Sequence, residues 1–110
     1  MEKEIVIKLK KALDDKFALD ITILDIGQIS TVADYFVIAT AANAPQMLAL
    51  TEIAEELVTK CGFHLSHIEG QSSAKWVLLD FGSIIVHLFD KESREFYNLE
   101  RLWRDAVVID

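Results

Sequence analysis

The sequence predicts an α/β domain, a mixed β-sheet of about five strands with helices packed on it. Three observations predict it. Two amphipathic stretches, residues 3–17 and the segment opened by Pro45, place apolar residues at helical spacing. Short, β-branched apolar runs lie between and after them. The pair Gly82-Ser83 separates two of those runs at hairpin distance. At 110 residues the chain reads as one domain, 1–110.

The first helix is expected over 3–17, with Ile5, Leu9, Ala12, Leu13 and Phe17 on its apolar stripe. Ile21 to Ile26 reads as a strand, and Gly27-Gln28 and Ser30-Thr31 punctuate the segment after it. Tyr35 to Ala41 is a near-continuous apolar run, the pattern of a strand covered on both faces. Pro45 suits the first turn of a helix, where its missing N–H costs nothing. Met47, Leu50, Ile53, Ala54, Leu57, Val58 and Cys61 line one side of that helix. Glu52, Glu55 and Glu56 line the other, Glu56 lies four residues before Lys60, and Gly62 is placed to cap the C-terminus. A short strand is expected from His64 to Glu69, then strands over 76–81 and 84–89. Lys91 to Asp105 reads as one helix, ending in the apolar tail Val107-Val108-Ile109, with Leu99, Leu102 and Trp103 as core residues at helical spacing.

A two-residue turn sets the hairpin register. Phe81 faces Ile84, Asp80 faces Ile85, Leu79 faces Val86, Leu78 faces His87, Val77 faces Leu88 and Trp76 faces Phe89. Opposed residues share a face, so Val77, Leu79, Phe81, Ile84, Val86 and Leu88 form one wholly apolar side, the core side. The other side carries Trp76, Leu78, Asp80, Ile85, His87 and Phe89. Aromatics mixed with an acid and an imidazole suit a protein interface, where large anchors are ringed by orienting polar groups. They also suit a face covered by a helix of the same domain, with Asp80 and His87 as an internal pair.

The formal charge of -7 argues against a free nucleic-acid binder and for a basic partner. No apolar run approaches the roughly 20 residues of a membrane span. The start Met1-Glu2-Lys3-Glu4 resembles neither a secretory signal nor a transit peptide, and Cys61 is the only cysteine. These observations point to the cytoplasm. Chemistry is not signalled. Asp80-Phe81-Gly82 matches the kinase magnesium triplet without the rest of a kinase. No phosphate-cradling glycine motif is present. Cys61, His64 and His67 lack a second ligand pair, and in a strand the two histidines point to opposite faces. No catalytic residue, metal or cofactor is expected.

Several segments together resemble a known family. They are Ala33-Asp34-Tyr35-Phe36-Val37-Ile38-Ala39-Thr40, Glu69-Gly70, Trp76 through Asp80, Gly82, and Ile85-Val86-His87. Arg94, Tyr97-Asn98-Leu99-Glu100, Leu102-Trp103 and Asp105-Ala106 complete the set. The chain resembles the Iojap-like ribosomal silencing factors (RsfS) from about Asp20 to Ala106. That resemblance implies a nucleotidyltransferase-like fold and a non-enzymatic role. The role is to bind ribosomal protein fourteen of the large ribosomal subunit and so block joining of the small subunit. It also implies a homodimer when free. On this reading Trp76 and Leu78 form an apolar anchor, Asp80 and Glu69 face a basic ribosomal protein, and His87 and Tyr97 complete the surface. The alternatives are a maturation factor docking on the same particle and a metal-dependent nucleotidyltransferase-like enzyme. The enzyme would need paired acids after Gly82-Ser83, and Ile84-Ile85-Val86-His87 supplies none. Gly82-Ser83 replaces the family's usual Gly-Asp. Ala41-Ala42-Asn43 replaces a glycine-containing loop, and among these Asn43 best tolerates a positive φ.

Overall fold

The computed structural model describes residues 2–109. It contains α1 (Glu2–Asp15), β1 (Leu19–Asp25), β2 (Tyr35–Ala41), α2 (Ala44–Lys60), β3 (His67–Glu69), β4 (Trp76–Asp80), β5 (Ile84–Asp90), α3 (Lys91–Tyr97), α4 (Leu99–Leu102) and β6 (Val107–Ile109). The strands form one mixed sheet in the order β3-β4-β5-β2-β1-β6, six strands where about five were expected. The addition is β6: the apolar tail pairs antiparallel with β1, Leu24 opposite Val108.

β2 and β5 lie side by side and parallel at the centre, joined through α2, β3 and β4. Both are buried along almost their whole length, as their unbroken apolar sequences require. α1 and α2 pack on one side of the sheet. Val6, Leu9, Leu13, Leu50, Ala54 and Val58 meet Val37, Val77, Leu79, Ile84, Val86 and Leu88 there. Each fully buried aliphatic side chain contributes about 1.5–3 kcal/mol, which makes this layer the main source of stability.

α2 begins at Asn43, whose side chain accepts from the Gln46 N–H at 2.8 Å. Asn43 has a φ of -159°, ordinary extended backbone, so its tolerance of a positive φ is not called on. The helix ends in a Schellman motif: Gly62 N–H donates to Thr59 and Phe63 N–H to Val58, with Gly62 at φ +98°.

Two helix readings are corrected. α1 stops at Asp15, and Phe17 sits in a left-handed turn at φ 67°, 80% exposed rather than on the apolar stripe. The C-terminal segment is two short helices, because Asn98 adopts φ 42° and breaks the ladder. Its side chain then caps α4 by accepting from the Arg101 N–H. α4 is a single turn, so Leu99 is buried and Trp103 half-buried, but Leu102 points outward, 75% exposed. β3 is also shorter than expected, starting at His67. No helix among the described residues is long and apolar enough to cross a membrane.

Candidate functional site

The β4–β5 register follows the turn arithmetic, from Trp76 opposite Phe89 to Asp80 opposite Ile85. Phe81 N–H donates to Ile84 O at 2.9 Å, closing the turn, with Gly82 at φ +87°. Asp80 Oδ1 accepts from the Gly82 N–H at 2.8 Å. The acid therefore braces the turn, and it forms no pair with His87. The alternation also holds: Val77, Leu79, Phe81, Ile84, Val86 and Leu88 are all buried beneath α1 and α2.

The opposite side divides at β5. α3, α4 and the segment around Ile26 and Ala33 cover its β1, β2 and β5 part, building a second small core. Ile85 and Phe89 are inside it, and so is His87 at 4% exposure. The expectation that His87 belongs to the partner surface is thus corrected, and for these three residues the alternative of a face covered by the chain's own helices holds: the C-terminal helices reach across the sheet over β5. They reach β4 only through Tyr97. Trp76, Leu78 and Asp80 on β4 remain half-buried.

β3 extends the uncovered part. Glu69 pairs with Leu78 and His67 with Asp80, and paired residues share a face. Glu69, placed near Asp80 only by sequence, thus stands beside Leu78. His67, which sequence reasoning left out of the surface, joins it. It lies 3.2 Å from Glu69, both side chains exposed. The β3 register carries the signal for His67, and a strand of three residues is too short to reveal register from its pattern.

Backbone approach sets the position of Trp76. Gly70 follows β3 at φ +84°, and a Cβ there would lie 1.8 Å from the Trp76 carbonyl oxygen. Only glycine lets the loop from β3 return this closely along β4. The indole then stacks on Phe89 at 4.9 Å and meets Tyr97, the last residue of α3, at 4.5 Å. Tyr97 is 47% exposed, so it both packs on Trp76 and continues the surface outward to Phe96. Trp76 Nε1–H donates to His87 Nδ1 at 3.2 Å. This bond puts the imidazole proton on Nε2, which finds no partner among the described residues. Burial pushes the His87 pKa down to about 4.

Arg94 anchors the covering helix. It is almost buried and donates to Glu100, to Thr40 Oγ1 at 2.9 Å and to Thr22 Oγ1 at 3.3 Å. One guanidinium thereby ties α3 and α4 to β1 and β2, using the several fixed donors of arginine. Sequence reasoning noted Arg94 without a role, because its partners in β1 and β2 lie far from it along the chain. The arrangement places half-buried Trp76 and Leu78 beside Asp80 and the exposed Glu69 and His67.

Residues 1–110 match the family described as ribosomal silencing factor during starvation, RsfS. A curated ribosomal silencing factor RsfS from Bacillus subtilis is 40% identical over 111 residues, covering 100% of this chain and 94% of that protein. The one from Zymomonas mobilis is 42% identical over 103 residues, covering 93% and 77%. A crystal structure of a Chromobacterium violaceum protein superposes with a TM-score of 0.86 at 30% identity, covering 92% of this chain and 84% of that one.

Proposed function

Because the chain belongs to the RsfS family of ribosomal silencing factors, we propose that it docks on the large ribosomal subunit through the β3–β4 face. It thereby keeps the small subunit from joining. The observation that carries this reading is the half-covered face itself. The C-terminal helices bury the β5 residues and leave Trp76 and Leu78 at the margin, with Glu69 and Asp80 beside them. A large aromatic beside an aliphatic residue, rimmed by acids, fits a protein surface that is apolar at its centre and basic around it. The formal charge of -7 adds long-range attraction toward a basic ribosomal protein such as ribosomal protein fourteen. Tyr97 extends the surface along α3. His87 supports it from below and does not touch the partner.

The action on this reading is occlusion. The protein occupies a docking face and makes or breaks no covalent bond. The test mixes the protein with isolated large subunits, adds small subunits, and reads 70S particles in a sucrose gradient. Loss of the 70S peak with the wild-type protein, and its return with Trp76→Ala, is the expected result. A 70S peak that persists at saturating wild-type protein overturns the reading.

A further inference from the structure

Trp76 and His87 are diagonal neighbours on one face, since Leu78 pairs with His87 and Trp76 with Phe89. Diagonal positions lie within reach of aromatic side chains. Stacking on Phe89 and the tilted contact with Tyr97 set the plane of the indole but do not choose between the two χ2 orientations that share that plane and exchange its edges. The bond from Nε1 to His87 Nδ1 makes that choice. The imidazole is itself clamped, edge-to-face on Phe36 at 4.7 Å and parallel to Phe89. Its only hydrogen-bond partner among the described residues is the anchor side chain.

We propose that His87 is a positioning residue for docking: from beneath the sheet face its neutral imidazole holds the Trp76 indole in the orientation offered to a protein partner. This rests on the reading of the Trp76 face as the docking surface. An indole already held at the surface loses less freedom on association, so the bond contributes to affinity through Trp76 and by no contact of its own.

The experiment is a double-mutant cycle with His87→Leu, Trp76→Phe and the pair, measuring the Kd for isolated large ribosomal subunits by co-sedimentation. In the wild-type background, His87→Leu is expected to weaken binding about fivefold. In the Trp76→Phe background it is expected to change nothing. In the free protein, the Trp76 indole N–H resonance of His87→Leu is expected to move and to exchange faster with solvent. An equal loss in both backgrounds marks a merely structural role and overturns the proposal. So does unchanged binding of His87→Leu with a displaced indole resonance. If Trp76→Ala binds as wild type, the docking reading itself falls and takes the proposal with it. If Trp76→Ala weakens binding and His87→Leu does not, only the positioning role falls. Should His87→Leu lose its cooperative thermal transition, His87→Phe, which keeps a flat ring in the same stack, takes its place in the cycle.

Discussion

The Nε1–H of Trp76 points at Nδ1 of His87, 3.2 Å away across the β4–β5 pair. This bond joins a half-buried residue to a buried one, so the surface and the second core are not independent. Its immediate consequence is electrostatic. An imidazolium can accept no hydrogen bond at Nδ1, so protonating His87 breaks the bond and charges an apolar site together.

Acid should therefore destabilise the fold through His87. The native pKa, about 4, lies below the ordinary 6.5. The unfolded state binds the proton first, so this contribution is complete above pH 6.5 and is lost as pH falls toward 4. The loss over that window is about 3 kcal/mol. Urea unfolding at pH 7 and pH 4.5 should show it, and His87→Leu should flatten the difference. Equal slopes for the two proteins would show that another group governs acid sensitivity.

Trp76→Ala should cost about 2–4 kcal/mol of binding to the large subunit, the range of a central aromatic anchor. Co-sedimentation measures it. The same change removes the stacking on Phe89 and the tilted contact with Tyr97, so the melting temperature should fall as well. Glu69→Gln, on an exposed acid, should instead slow association and leave the melting temperature unchanged.

Gly70→Ala should lower stability by about 2 kcal/mol or more, because the added carbon meets backbone that cannot step aside. For a domain of this size each kcal/mol lowers Tm by about 4–8 °C. Circular dichroism melts check it. A variant melting with the wild type would show that the β3–β4 connection is not held as described.

Arg94→Ala should destabilise by about 2–4 kcal/mol, less than a fully buried pair, because Glu100 is partly exposed. It strips donors from Glu100, Thr22 and Thr40 together. Hydrogen exchange should then rise first in α3 and α4, since the guanidinium is their polar link to β1 and β2. Uniform exchange across the chain would contradict that role.

Binding should also weaken with salt. Acid-led encounter with a basic protein is screened beyond about 8 Å at physiological ionic strength. Association rates measured from low to high salt should fall while dissociation changes little. A flat association rate would leave apolar burial as the only driver.

The β4–β5 hairpin was legible because it needs only local information. A two-residue turn sets register, register sets faces, and the wholly apolar face must be the core. β2 and α2 were legible by the same kind of local pattern. The C-terminal third was less so. Asn98 ends α3 by taking a left-handed conformation that its neighbours do not announce, and Val107 to Ile109 becomes a strand only because β1 offers an unpaired edge. The surface was read only in part for a related reason. Alternation assigns His87 and Trp76 to one face but says nothing of how far a helix from elsewhere will reach over it. His87 went under and Trp76 stayed at the margin because α3 and α4 cover β5 fully and reach β4 only through Tyr97.

The parallel pairing of β2 with β5 has a kinetic consequence. The sheet's centre joins segments separated by α2, β3 and β4, so a long loop must close before its two most buried strands can meet. That ordering cost comes ahead of the reward. The β4–β5 hairpin, by contrast, closes over a tight turn and can form early. The strand that carries Trp76 should thus be among the first elements organised during refolding, and the middle of the sheet among the last.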